Sequence, residues 1–461
     1  MGAFGIAGMG YLASAAAEPS PLPPPPVPVP AIPAPSLTPF NYHSPPLQPF
    51  VDELPIPETR AAAGELAVTS GVHRYHPDLP PSGEFEIPLI VQDRTFDADG
   101  GVQPMVATYI PQGYNQSGQL GDVCCVNGVV WPRLEVRRTL YRFRLLNGSN
   151  SRPYIFEFSN AQPFFVIGGD LGLLDAPATA PWVRVSPGER VDLLVDFRGI
   201  RDGETVDLIN TALNDLGNTV FMAPELRSVM RFTGAGDGPA AELPPVLRGG
   251  PGRPDPLEPL RRPDSVRTVT LMGLSDTSRP VSFSTMMSLN NLPFLSSDID
   301  LARAGTVEQW DIVNTTPFDH PIHLHLARLR VIGRQPILTS AYFAANYPPR
   351  FGIRWAPSAD AFALGPEQGS PPWEAGWKDT VECPTDTITR VLVRWPAVAE
   401  LRFDPDAVIS VPPGAVAVSP GSDAEMTDGM TEPGEIRGYV WHCHNLDHAD
   451  HDMMQRIRVQ P

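Results

Sequence analysis

The chain reads as all-β, a tandem of β-sandwich units. Two observations carry this. Thr139-Leu-Tyr-Arg-Phe-Arg-Leu-Leu-Asn147 and Thr306-Val-Glu-Gln-Trp-Asp-Ile-Val-Asn314 are alternating segments closed by an asparagine turn. They also recur in a longer alignment. Segments beginning at Leu134 and Leu301 match at one offset, and each is preceded by a hairpin-like signal, Val126-Asn-Gly or Leu289-Asn-Asn. Two copies of one sandwich unit explain the recurrence.

Taken in order, the chain opens with small apolar residues 3–17 ending Ala13-Ser-Ala-Ala-Ala17, like a signal peptide with its cleavage site. No Lys or Arg precedes Arg60, so the basic leader region is absent; the segment still points to a secreted, periplasmic or cell-envelope protein. The apolar run is too short and glycine-rich to span a membrane. Residues 18–39 are a proline-rich, extended tether. The division expected is 1–38 for leader and tether, 39–82 for a remnant of a first domain, 83–235 for a sandwich without metal ligands, and 236–461 for a sandwich with them. A low-order linker is expected from about Gly234 to Asp264. The acidic, Pro- and Gly-rich stretch from Glu400 to Gly434, with Met426 and Met430, is expected to be a solvated loop near the metal site. At 461 residues the chain has room for two or three cores. A net charge of −18 argues against nucleic acid and anionic membrane as partners, since both need a basic face.

Chemistry concentrates near the C-terminus. Six of ten histidines lie in His320-Pro-Ile-His323-Leu-His325 and in Tyr439-Val-Trp-His442-Cys443-His444-Asn-Leu-Asp-His448, with Met453 five residues on. On a strand, residues two apart share a face. With the two segments side by side, His320 and Cys443 meet on one side, where the following turn can bring His448 and Met453. His323, His325, His442 and His444 converge on the other. Two imidazoles, a thiolate and a weak axial thioether are the ligands of a blue, type 1 copper. Zinc is the competing metal, but it prefers closed Cys/His sets, which one Cys beside a Met does not make. His451, flanked by Asp450 and Asp452, falls outside the pattern and reads as a solvated loop residue.

These motifs resemble those of the three-domain multicopper oxidases, most closely the spore-coat laccases, bilirubin oxidases and phenoxazinone synthases. Supporting matches are Glu86-Ile-Pro-Leu-Ile-Val-Gln-Asp-Arg94, Val126-Asn-Gly-Val-Val-Trp-Pro132, Tyr141-Arg-Phe-Arg-Leu-Leu-Asn147 and Gly376-Trp-Lys-Asp-Thr380. The resemblance covers roughly residues 83–461 and, faintly, 40–82. It implies tandem cupredoxin-like Greek-key β-sandwich domains and copper as cofactor. By motif, His320, Cys443 and His448 would bind type 1 copper with Met453 axial, His323 would be a type 2 ligand, and His325, His442 and His444 would be type 3 ligands. The implied activity is one-electron oxidation of phenolic or similar small donors, with dioxygen as acceptor.

Two departures stand out. The family's three-copper cluster takes eight histidines, half of them from first-domain His-x-His pairs, and no further such pair occurs here. The remaining histidines are His43, His73, His76 and His451; after Pro81-Ser-Gly the chain passes directly to what resembles the second domain. The alternative reading is therefore a mononuclear blue-copper electron-transfer or copper-binding protein that does not reduce oxygen. Second, the family often has a carboxylate directly after the last type 1 histidine. Here that residue is Ala449, with Asp450 one place on and, on a strand, facing differently. Of the other cysteines, Cys124 and Cys125 are adjacent and would not bond to each other. Either could pair with Cys383, though buried free thiols are the simpler expectation. Asn147-Gly-Ser and Asn314-Thr-Thr fit glycosylation sequons but are better explained as strand-end turns.

Overall fold

In the computed structural model, residues 47–56, 78–80, 83–102, 120–212, 226–275, 284–410, 435–450 and 452–461 are described. The leader, the tether, His43, His73, His76, His451 and most of the acidic stretch, Met426 and Met430 included, lie outside them.

Strands dominate, in two sandwiches built to one plan. In the earlier, Glu86–Arg94 runs parallel to Leu140–Asn147, which Arg190–Asp196 flanks antiparallel. In the later, Ser265–Ser275 runs parallel to Val307–Asn314, which Thr387–Arg394 flanks in the same way. The facing sheets correspond too. Tyr154–Phe158 lies between Val183–Val185 and Thr205–Asn210; His320–Leu324 lies between Thr380–Cys383 and Tyr439–Cys443. The Leu134 and Leu301 alignment is also structural. Each residue sits on a short strand parallel to the last strand of its unit, Ser228–Asp237 or Met454–Gln460.

Alternation explains the packing. Leu140–Asn147 and Val307–Asn314 are almost wholly buried, as central strands covered on both faces should be. The earlier core is phenylalanine-rich, with Phe143, Phe158, Phe197 and Phe232 in mutual ring contact. Trp310 and Trp441 anchor the later one edge to face, 5.2 Å apart. Both hairpin signals form tight turns with positive φ at two successive residues, Asn127-Gly128 and Asn290-Asn291, as the right-handed strand twist favours.

Both sequon asparagines are buried structural residues. The Asn147 amide donates to the carbonyls of Arg152 and Val185 (2.8 and 2.9 Å), and that of Asn314 to Phe318 and Cys383 (2.7 and 2.9 Å). Their side-chain oxygens accept from the backbone N–H of Ser149 and Thr316. Cys124, Cys125 and Cys383 are free, buried thiols. Burial pushes Cys125 up to about 11 and Cys383 up to about 12.

The linker differs from the expectation. Strand Ser228–Asp237 extends past its expected start, and the segment that follows is a pinned strap. Leu247 is buried, with its N–H on the Asp175 carbonyl; Leu257 N–H bonds the Asp175 carboxylate, and Arg248 bonds the Leu173 carbonyl. Farther along, the Glu258 carbonyl accepts from Arg330 of the later sandwich. Polar side chains from both units hold it, which composition alone could not indicate. Residues 47–56 likewise lie along strand Arg133–Arg138, with Phe50 N–H on Trp131 and Leu54 N–H on Arg133. No helix among the described residues is long and apolar enough to cross a membrane.

Candidate metal centre

The strand carrying Cys443 ends at that residue, and the turn expected after it follows at once. Asn445 then caps a helical turn, Leu446–Ala449, its side chain accepting from Asp447 N–H. That turn brings His448 back over Cys443. It also corrects the reading of Asp450, which follows a helical turn, so strand alternation does not set its direction.

On the buried side His320, Cys443, His448 and Met453 are all fully enclosed. Cys443 Sγ lies 3.5 Å from His320 Nδ1 and 3.7 Å from His448 Nδ1, and the two Nδ1 atoms are 3.1 Å apart. Each ring is held from behind. His320 Nε2 is 2.6 Å from Thr316 Oγ1, and His448 Nε2 is 3.4 Å from the Asn445 amide nitrogen. Met453 is tied in by backbone bonds, Cys443 N–H to Met453 O and Met453 N–H to His448 O, both 3.0 Å. Asn445 N–H points at the sulfur, 3.4 Å away.

The electrostatics suit a cation. Burial, reinforced by His448, holds His320 well below the usual histidine range, so it stays neutral with a lone pair free. Burial pushes the Cys443 thiol up, against the Asn445 N–H. Two converging lone pairs and a sulfur in a dry pocket are poorly accommodated without an ion that replaces the thiol proton. This donor set fits one soft transition-metal ion, and copper fits it best.

On the opposite side one ligand nitrogen each from His323, His325 and His442 lies within 4.8 Å of the others. His444 stands alongside, its ring 5.7 Å from His442 and 5.8 Å from His323. His323 Nδ1 is anchored on the Asp379 carbonyl (2.9 Å) and Thr380 Oγ1 (3.0 Å), and His442 Nδ1 on the Cys443 carbonyl (2.9 Å). Burial raises Asp379, but its bonds to Arg190 and His323 outweigh that and hold it far below the carboxylate range. Burial lowers His442 to about 4. His444 Nδ1 is buried without a partner among the described residues. Its ring packs where a side chain at Gly188 would project, 2.4 Å from the nearest ring atom, and Gly188 has φ +81°. Only glycine satisfies both demands. Among the described residues four imidazoles face this side, half the eight donors that the resemblance implies for a three-copper cluster.

The structure brings together His320, Cys443 and His448 on one side and His323, His325, His442 and His444 on the other, as the two-residue spacing and the following turn predict; the residues that support them were missed. Thr316, Asp379 and Thr380 were visible only as turn or framework residues, and Asn445 only as a spacer between ligands.

The multicopper oxidase family profile matches residues 264–399. A laccase from Bacillus stratosphericus is 32% identical over 399 residues, 82% of this chain and 64% of that one. The chain belongs to the multicopper oxidase family. A second relative within it, multicopper oxidase LPR1 of Arabidopsis thaliana, is 30% identical over 83% of this chain and 61% of its own. The crystal structure of McoA multicopper oxidase from Aquifex aeolicus superposes with a TM-score of 0.57 at 26% identity, covering 82% of this chain and 66% of that one. The chain thus spans under two thirds of the length of these curated relatives, while keeping the multicopper oxidase sandwich plan.

Proposed function

We propose that this chain is a copper-dependent oxidoreductase taking single electrons from phenolic or similar small donors, with dioxygen as the acceptor its family uses. The observation that carries the reading is the convergence of His320 Nδ1, His448 Nδ1 and Cys443 Sγ at 3.1 to 3.7 Å beside buried Met453. Copper bound there supplies a one-electron couple at a site of this donor type. The protein's own contribution is preorganisation. Thr316 and Asn445 fix the ring directions, Cys443 offers its sulfur in a fully buried pocket, and Asn445 N–H supports negative charge on it. His323 as a type 2 ligand, and His325, His442 and His444 as type 3 ligands, complete the assignment. The signal-like leader supports a secreted or cell-envelope location.

One observation favours a second reading. Among the described residues the far side gathers four imidazoles, half the donors that the resemblance implies for a three-copper cluster, which suits a blue-copper electron-transfer protein without oxygen reduction. Copper content and oxygen uptake of the copper-loaded protein decide between them. Several coppers per chain with uptake support the oxidase. One copper, a blue band and no uptake would sink it. Cys443→Ser is expected to abolish the blue band outright in either case, while leaving the circular dichroism of the apo-protein unchanged.

A further inference from the structure

The earlier sandwich contributes no ligand to the Cys443 site, yet one of its turns grips the loop that does. Leu446 N–H donates to the Asn150 carbonyl at 3.0 Å. Ser151 Oγ lies 2.9 Å from Asn445 Oδ1 and 3.0 Å from Asp447 Oδ2. Ser151 and Asn445 are 3% and 2% exposed, so these bonds form away from competing water.

Asn445 is central to the ligand pocket. Its N–H meets the Cys443 sulfur, its amide nitrogen reaches His448 Nε2, and its Oδ1 caps the turn that carries His448. Whatever fixes Asn445 fixes the hydrogen bond to sulfur. The turn bearing Ser151 is itself rigid. Asn147 bonds the Arg152 carbonyl, the Arg152 guanidinium pairs with Asp93 at 2.9 Å, and Asp93 also accepts from Gly121 N–H at 2.7 Å. A stiff chain of contacts thus runs from the core of one sandwich to the sulfur of the other.

We propose that Ser151 is a positioning residue that sets the reduction potential of the Cys443 site from across the sandwich boundary, by holding Asn445 N–H on the sulfur. The inference rests on the copper reading above. Hydrogen bonding at the cysteine sulfur tunes such sites. A donor there draws charge from the thiolate, lessens its donation to the oxidised ion and raises the potential. Without the Ser151 hydroxyl the Asn445 turn loses an anchor, the N–H···S contact slackens and the oxidised form gains.

The test uses the full copper-loaded chain, with Ser151→Ala and, as conservative rescue, Ser151→Thr. Two quantities are read: the thiolate-to-copper absorption band, and the equilibrium against a one-electron redox dye. Ser151→Ala should keep the band yet shift the equilibrium several-fold toward the oxidised form, up to about tenfold or ~59 mV. Ser151→Thr should return it close to the unaltered chain. An unmoved equilibrium in Ser151→Ala with the band intact overturns the proposal, as does an equal shift in Ser151→Thr, which would indicate packing. Absence of the band from the unaltered copper-loaded chain would instead overturn the copper reading beneath it.

Discussion

The same strand-end turn is used twice, with opposite contents. In the earlier sandwich, Asn147 closes a loop leading to Arg152, whose guanidinium forms a buried ion pair with Asp93. In the later, Asn314 closes a loop leading to His320, which faces Cys443 and His448. Counted from the residues paired with each asparagine, Val91 and Leu271, Asp93 corresponds to Gly273. One unit thus carries its own cation and counter-ion beneath the turn. The other has Gly273 in place of the acid and Phe318 in place of the arginine, and its His320 imidazole stands where the earlier unit has Tyr154, among donors suited to a cation from outside. The sandwich itself is indifferent to the choice. The candidate metal centre is a change of contents in a niche the fold already provides.

The comparison is most easily broken at Arg152. Arg152→Met leaves the Asp93 carboxylate buried without its guanidinium, which should cost about 3–5 kcal/mol in chemical denaturation, and Asp93→Asn in the same chain should recover much of it. A loss below about 1 kcal/mol would mean the pair is not what fills the niche. Next in size are the turn asparagines. Asn147→Ala and Asn314→Ala each orphan buried carbonyls and should cost about 1–3 kcal/mol. Only Asn314→Ala should also alter the blue absorption, because Thr316 and its contact to His320 hang from that turn. Equal spectral effects from both would erase the distinction.

The smallest effect concerns the seam between the units. Glu189 of the earlier sandwich lies 3.1 Å from Lys378 of the later, which also sees Asp170 at 3.4 Å. Burial pushes Glu189 up to about 7, against the pull of Lys378. A carboxyl with a raised folded-state pKa holds its proton more tightly when folded. Its contribution is complete at low pH and fades as pH rises from the ordinary glutamate range to about 7. His320 and His442, held low by burial, act in the opposite sense, so the Glu189 share is read by difference: across that interval the melting temperature of apo Glu189→Gln should gain with rising pH relative to the unaltered chain. Equal slopes in the two proteins would remove Glu189 as a contributor.

Much of this was legible because it depends on period. Alternation gave the central strands, the asparagine turns gave the repeat, and two-residue spacing divided His320 and Cys443 from His323, His325, His442 and His444. What stayed hidden depends on partners remote in sequence. Ser151 meets Asn445 across 294 positions, and nothing local to either announces it. The strap after Ser228–Asp237 is rich in proline and glycine, and so resembles a loose linker; its order comes from Asp175 and Arg330. A turn after the Cys443 strand was expected; its helical form was also readable, since Asn445 followed two residues later by Asp447 is an N-capping pattern.

The strap has a mechanical consequence. A segment fastened first to Leu173 and Asp175, then to Arg330, works as a splint across two bodies rather than a hinge between them. Opening the seam would require peeling it away while also parting Lys378 from Glu189. The two units should therefore melt as one cooperative body. A candidate metal pocket whose walls come from one unit and whose brace comes from the other then keeps its shape for as long as the whole stays folded.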